Sequence, residues 1–544
     1  MKAEQYIKSL IHLPLVQINR EIEQVCGIIN FFNEEEDIDI DLSTTREDKD
    51  EYGDWQTNAQ LAHIATSRLS KDCSPQIILE PTCGTGNFIL ASLDTFTSIE
   101  EVYAVEIYKP YLQILKFEIL QRYLDGIYTK PVRFHLIHSS VFDVDWDKIK
   151  KQIAQRNLLV IGNPPWVTNS DLSSIDSSNL PIKSNFRQER GFDALTGKSN
   201  FDIAEYICYD MFRHFANDHN QFALLLKNSV IKQICYSQRK IPRNIASMCQ
   251  YQFDAKREFG ASVDASLFVC KSGQAERCCD VMDLYTGEYC RSFGWIKDKF
   301  VSDLQSYSHT SAIDGVSPFK WWSGIKHDCQ TVVELKRCGD TYVNRLGEVV
   351  DIEEDSIYPY VKSSDIQYDI TPNHKRFIII TQHSISDNTD QLQITAPRTY
   401  TYLMQHREYF EKRKSVIYKK RSLFSMFGIG DYTFKPYKIV ISGLYKQPHF
   451  ALLTPINGKC VIPDDTCYLL GFDSEDIAKV VLSILSSDII TNFIKSISFA
   501  DTKRIITKDV LMRINILNAI PESVDKHTLI TYLDKKCNQT LLIF

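Results

Sequence analysis

Residues 77–88 read Ile77-Ile-Leu-Glu80-Pro81-Thr-Cys-Gly84-Thr-Gly86-Asn87-Phe88. Three apolar residues end on a carboxylate, two glycines follow, and an apolar run then predicts a helix over Asn87–Leu93. A strand that passes through a glycine turn into a helix is the opening unit of an α/β sheet. Glycines let the backbone approach a ligand closely, and the helix N-terminus behind them offers free N–H groups.

Outward from this unit the alternation continues. Further strands are expected at Val102–Val105, Phe134–Ile137, Leu158–Ile161, Phe222–Leu226 and Ala265–Val269, with helices at Lys109–Tyr123 and Ile203–Phe215. Such alternation predicts a mainly parallel sheet with helices on both faces. Upstream, Ile7, Leu10, Ile11, Leu15, Ile18 and Ile22 are spaced by three and four, so residues 1–33 read as helical. The acidic stretch 34–54 reads as a linker. Beyond residue 290 the alternation fades into short aromatic-rich strands and helical stretches at 402–414 and 474–496, a separate α+β domain. The expected division is 1–50 as a helical extension and acidic linker, 51–290 as the α/β domain, 291–330 as a connector and 331–544 as the α+β domain.

Composition narrows the class. The chain has 544 residues, 44% of them hydrophobic and 24% charged, which is ordinary for a globular protein of two or three domains. No apolar run of membrane-spanning length occurs, and Leu10–Val16 is broken by His12 and Pro14, so neither a membrane span nor an export signal is expected. Fifteen scattered cysteines without zinc spacing read as reduced thiols in a cytoplasmic protein with no metal site. Net charge is −7, yet residues 398–446 hold eleven Lys/Arg against three Asp/Glu, a local anion-binding face on an otherwise acidic body.

The chemistry gathers at strand ends. Glu106 lies twenty residues past Gly86, where a carboxylate can accept ribose hydroxyls. Leu90 and Ala91 occupy the region of a third dinucleotide-fingerprint glycine, so a nucleoside with a small tail fits better than a pyrophosphate. Glu80 suits a cationic tail. Thr57 reads as the N-cap of a helix through Arg68. The strand at 158–161 stops on Gly162-Asn163-Pro164-Pro165-Trp166. Prolines remove donors and stiffen the turn. The Asn163 oxygen and the Pro164 carbonyl can then accept both hydrogens of one exocyclic amine, while Trp166 offers a face for a planar ring.

With these residues in order, the sequence resembles the S-adenosylmethionine-dependent amino methyltransferases of DNA, in the branch with a C-terminal target-recognition domain. The likeness covers most of 51–290. QTNAQLA resembles the motif before the cofactor loop, EPTCGTGNF the loop itself, AVEI the ribose-binding strand end, NPPW the catalytic motif, and SNFDIAEY the motif beside the cofactor adenine. In REFGASVDASLFV, Phe259 falls where the family places a second aromatic against the target base. The resemblance implies a Rossmann-like class I methyltransferase sheet plus a DNA-recognition domain. It also implies cofactor contacts from Thr57, Glu80, Pro81, Gly84, Gly86, Asn87, Glu106, Asn163 and Phe201. Where the family has an Asp at the cofactor's adenine amine, HSSVFDVDW offers Ser140 and, three residues on, Asp143. The catalytic set would be Asn163, Pro164, Pro165, Trp166 and Phe259.

By the same likeness the reaction is methyl transfer to the N6 amine of an adenine flipped out of duplex DNA, in a restriction–modification system whose nuclease acts separately, by a monomer. The stretch between Trp166 and Phe201 is expected to order when the base enters. Basic residues interleaved with aromatics, Arg407, Lys412, Arg413, Lys414, Lys419, Lys420 and Arg421, with Lys503 and Arg504 later, are the expected DNA contacts. Trp321-Trp322 reads as core. Alternatives are cytosine-N4 methylation, an RNA or protein acceptor, an inactive DNA-binding fold, and a fused nuclease using Glu334-Leu-Lys336.

Overall fold

The computed structural model describes residues 2–32, 55–168, 201–216, 219–260, 263–366, 375–500, 504–520 and 526–541. The acidic stretch 34–54, the expected base-ordered stretch beyond Thr168, and Lys503 lie outside them. The chain forms two compact units, 1–300 and 301–544.

The first unit is built on ten strands: β1 Ile77–Glu80, β2 Glu101–Glu106, β3 Arg133–His138, β4 Leu158–Gly162, β5 Gln221–Lys227, β6 Ile245–Gln252, β7 Ala265–Ser272, β8 Cys278–Asp283, β9 Tyr289–Ile296 and β10 Lys299–Val301. Their order is β3-β2-β1-β4-β5-β7-β6-β8-β9-β10. Strands β1 to β5 run parallel. The central strands β1 and β4 are apolar up to their last residue (Ile-Ile-Leu in β1, Leu-Leu-Val-Ile in β4) and buried throughout, whereas the edge strand β3 alternates polar and apolar residues and is only partly buried. The helices Asn87–Thr95 and Lys109–Leu124 follow β1 and β2, and Trp146–Ile153 and Ile203–Phe215 follow β3 and β4; the right-handed rule for parallel crossovers assigns the two pairs to opposite faces. The last two helices pack together, with Trp146 edge-on to Phe215 at 6.0 Å.

The expected strands and helices are present, but the sheet differs from expectation in one strand direction and in four further strands, β6, β8, β9 and β10. Strand β7 is antiparallel to β5, so the sheet is mixed. Strand β6 lies inside the expected α/β stretch yet is not among the expected strands. Its sequence IASMCQYQ is interrupted by a bulge between Ala246 and Cys249, with Ser247 at φ +50°, which breaks the period-two pattern. The expected boundary at 290 falls inside β9, which pairs with β8 and belongs to the sheet.

The N-terminal residues form two helices, Ala3–Leu10 and Leu15–Cys26, separated at Pro14. They are not a detached extension. Ile28 bridges Phe134 on β3, and Phe31 and Phe32 are fully buried, with Phe31 at 6.2 Å from Phe117.

The second unit holds a six-stranded sheet in the order Val349–Val350, Thr341–Val343, Glu334–Cys338, Arg376–Ile379, Ile357–Val361, Ile462–Pro463. It also holds a four-stranded sheet in the order Trp322–Ser323, Cys467–Phe472, Tyr437–Ser442, Phe450–Leu453. Expected helix 402–414 is two pieces, Pro397–Gln405 and Arg407–Glu411; 474–496 is likewise two, Glu475–Leu485 and Asp488–Ile497. Among the described residues no single helix is long and apolar enough to cross a membrane.

Phe31→Ala should destabilise the first unit by about 3–5 kcal/mol, the usual result of emptying a buried aromatic site. Chemical denaturation read by fluorescence checks this, and a change below about 1 kcal/mol would make the N-terminal segment a dispensable appendage.

Candidate active site

The sheet reverses its winding direction between β1 and β4, and a cavity of about 220 Å³ opens beyond their carboxyl ends. That is where open parallel sheets bind ligands. Glu80 ends β1, Glu106 ends β2 and Gly162 ends β4, so three neighbouring strands deliver the site. Gly162 sits at φ +155°, and a Cβ there would lie 3.1 Å from the Glu80 side chain, which explains glycine at that strand end. Gly86 is left-handed at the N-terminus of helix Asn87–Thr95; a Cβ on it would collide with Leu115.

Of the residues expected at a cofactor, Thr57, Glu80, Pro81, Gly84, Asn87, Glu106 and Asn163 line the cavity, joined by Pro165. Gly86, Ser140, Asp143 and Phe201 are not among its walls. Gly86 instead packs the loop against a helix. Ser139, Val141 and Phe142 line the cavity on either side of Ser140, whose hydroxyl accepts from the Phe142 N–H at 3.2 Å. Phe201 is buried near Tyr206, and Ile203 and Ile207 face the cavity in its place. Sequence reasoning missed Trp55, Gln56, Ile107 and Tyr108. A residue that follows a strand-end carboxylate must lie at the same rim, so Ile107 and Tyr108 could have been found.

Residues 55–58 cross this rim as a strap. The Asn163 Nδ2 donates to the Trp55 carbonyl at 2.6 Å. Gln56 Oε1 accepts from the Thr85 N–H at 3.1 Å, and the Thr57 carbonyl accepts from Asn87 Nδ2 at 2.8 Å. Asn58, not Thr57, is the N-cap: its Oδ1 accepts from the Leu61 N–H at the start of helix Ala59–Leu69. The helix begins one residue later than expected because Thr57 is buried at the cavity.

The electrostatics of the cavity are unusual. Thr57 Oγ1, Glu80 Oε2 and Asn163 Oδ1 are buried and have no hydrogen-bond partner among the described residues. Buried polar atoms are ordinarily paired, and leaving one unpaired costs about 1–3 kcal/mol. Here three of them belong to residues in the walls of one cavity. Glu106 is tied down by donation from the Gly84 N–H at 2.8 Å and the Tyr108 N–H at 2.7 Å. Burial, and after it the nearby Glu106 charge, pushes the Glu80 carboxyl well above the usual carboxylate range. A cation in the cavity would relieve both effects.

The expected base-stacking pair is in contact. Trp166 is buried, its indole N–H donates to the Leu225 carbonyl at 3.2 Å, and its ring meets Phe259 edge-on with centroids 5.1 Å apart. A planar base sandwiched between two rings needs on the order of 7 Å between them, so the rings stand closed on each other. Phe253 lies 6.1 Å from Phe259 and completes an aromatic cluster.

A curated relative, the Type II methyltransferase M.NspV from Nostoc sp., is 38% identical over 471 residues, which is 86% of this chain and 96% of the relative. The chain belongs to the Type II methyltransferases of restriction–modification systems. No family model matches it. Among solved structures, the Type IIL restriction–modification enzyme MmeI, solved with DNA, aligns over 92% of this chain and 67% of its own, at a TM-score of 0.50 and 12% identity. The type IIG restriction endonuclease BpuSI aligns over 88% of this chain and 60% of its own, at a TM-score of 0.37 and 13% identity. The MmeI likeness shows the shared fold.

In this Type II methyltransferase the expected DNA contacts of the second unit divide into two groups. Lys414, Lys419 and Lys420 are exposed. Lys412 pairs with Glu408 and Arg407 with Glu411 on the surface. Arg413 is structural: its guanidinium donates to the carbonyls of His327, Leu423 and Ser425 and stacks 3.7 Å from the Tyr418 ring. Arg421 donates to the Ile385 carbonyl, and Arg504 to the carbonyl and carboxylate of Asp465. Trp321 is core beside Phe450, while Trp322 stacks on Tyr432 at 4.2 Å. Glu334 of the Glu-x-Lys motif is buried with Lys362, Arg345 and His327 around it. Burial opposes ionisation, but hydrogen bonds from His327 and Lys362 and the lysine charge prevail and hold its carboxyl down at about 2. It is an ion-pair centre within the second unit.

Glu80 should make apoprotein stability fall with rising pH. Its folded-state pKa lies above the unfolded value, so between the two the folded state holds the extra proton and loses stability as pH rises. Glu80→Gln should therefore raise the thermal midpoint at neutral pH. A lower midpoint would show that the carboxylate is stabilised by a partner within the fold.

Proposed function

We propose that this methyltransferase uses S-adenosylmethionine to methylate the N6 amine of an adenine flipped out of duplex DNA, and that it protects host DNA in a restriction–modification system. The observation that carries this reading is the buried Asn163 Oδ1, without a partner among the described residues, at a cavity where Thr57 Oγ1 and Glu80 Oε2 are likewise without one and suit an amino-acid tail.

The donor set fits the cofactor. Glu80 would hold its cationic end, Thr57 its methionine part, and Glu106 the ribose hydroxyls. Ile107 and Phe142, apolar on the same rim, suit a planar base. When bound, S-adenosylmethionine supplies a methyl group on a good leaving group, the sulfonium. The protein's own work is placement of the nucleophile. Asn163 Oδ1 and the Pro164 carbonyl accept the two hydrogens of the target amine and draw its lone pair out of conjugation. The turn has no competing donor at Pro164 and Pro165.

Flipping a base out of a duplex costs a few kcal/mol. Stacking on Trp166 and Phe259 offsets part of this, at about 1–3 kcal/mol per aromatic contact. Trp166 is fixed by its bond to the Leu225 carbonyl, so Phe259 is the ring that shifts to admit the base. The second unit serves as the reader of the DNA sequence, with Lys414, Lys419 and Lys420 as phosphate contacts. The chain acts in the cytoplasm as a monomer, alongside a separate nuclease.

Asn163→Ala should abolish methyl transfer to DNA and leave S-adenosylmethionine affinity within about twofold, measured by radiolabel transfer and calorimetry. Near wild-type turnover would refute the assignment. Base-resolved sequencing of DNA from expressing cells should show N6-methyladenine; N4-methylcytosine would move the target to cytosine. Reversing Lys414, Lys419 and Lys420 to Glu should weaken DNA binding and flatten its logarithmic salt slope by about 0.9 for each phosphate no longer neutralised. Unchanged binding across salt concentrations would remove this turn from the interface.

A further inference from the structure

Phe259 ends a helix of only five residues, Ala255–Phe259, closed by a left-handed Gly260. A helix that short has no stability of its own, so its position is set by what its side chains grip. Ala255 is buried, and Asp254 caps the first turn by accepting from the Arg257 N–H at 3.0 Å. At the Phe259 end the ring packs against Trp166 and Phe253, and Glu258 ties the same turn to two other elements. One of its oxygens accepts from Asn58 Nδ2 at 2.9 Å, and the other accepts from the Tyr285 hydroxyl at 2.8 Å.

Asn58 is the last residue of the strap. The residues before it grip Asn163, the glycine loop at Thr85, and Asn87. Four consecutive residues therefore each hold a different part of the site, and the fourth reaches the helix that carries Phe259. Asn58 can serve two elements at once because its Oδ1 caps its own helix while its Nδ2 faces Glu258.

We propose that Asn58 and Glu258 are positioning residues that couple the cofactor side of the site to the aromatic gate for the target base. With the strap settled against the glycine loop, the Glu258 link holds Phe259 at the depth where it can close on an extruded base opposite Trp166. The inference rests on the proposed transfer to DNA. Glu258 touches neither the cavity nor the base; it acts through Phe259.

The test uses the full-length protein, S-adenosylmethionine and unmodified duplex DNA. Glu258→Ala should lower kcat/KM for DNA by about tenfold, the effect of removing a hydrogen bond to a charged group. Cofactor affinity should stay within about twofold. Asn58→Ser keeps a capping oxygen but is too short to reach Glu258, so it should give a similar reduction. The double variant should be no worse than Glu258→Ala alone, since that substitution already removes the Asn58 link. Glu258→Gln retains an acceptor and should restore most of the rate. Three results would overturn the proposal: Glu258→Ala turning over DNA like the wild type, reductions that multiply in the double variant, or cofactor affinity falling in step with kcat/KM. A wild-type protein without transfer to DNA would instead defeat the functional reading itself.

Discussion

The hydrogen bond from Asn163 Nδ2 to the Trp55 carbonyl is the constraint on which the site depends. An amide has a donor end and an acceptor end, and an unconstrained one would present either to the cavity. By taking the donor end, the Trp55 carbonyl leaves the oxygen directed away from the strap, buried and without a partner among the described residues. Turning the amide over would set two oxygens against each other. The strap thus decides which chemical face the turn after β4 can show, and the prolines that follow supply no donor to reverse it.

Much of this was legible because the residues concerned are dictated by backbone geometry. Apolar β1 and β4 are buried on both faces and announce themselves as runs, while Glu80, Glu106 and Gly162 mark where strands end. The Asn-Pro-Pro-Trp turn is equally plain, since few backbones need those residues together. The strap was only half legible. Thr57 stands before a helical run and looks like a cap, but a cap is a property of φ, ψ and the first free N–H, and those belong to Asn58.

What stayed hidden depends on contacts remote in sequence. Arg413 sits in a basic run that resembles a phosphate-binding segment, yet its guanidinium satisfies four carbonyls, those of His327, Phe410, Leu423 and Ser425, and an aromatic face. Charge counting cannot separate such an arginine from an exposed lysine beside it. The closed pair Trp166–Phe259 is similar: residue types show that two rings are available, and only packing shows that they touch. Strand β6 escapes a reading by pattern because its bulge erases the alternation, and β9 because it joins a sheet edge after the α/β pattern has ended.

The central claim is that a carboxamide oxygen, held by the strap, receives the amine of an extruded adenine. A crystal structure with S-adenosylhomocysteine and a duplex carrying the recognition site tests it most directly. The account predicts the target adenine outside the helix between the indole and Phe259, its N6 about 3 Å from Asn163 Oδ1, with Nδ2 still on the Trp55 carbonyl. A stacked, unextruded adenine, or an Asn163 turned to another partner while the cavity holds the cofactor product, would contradict it.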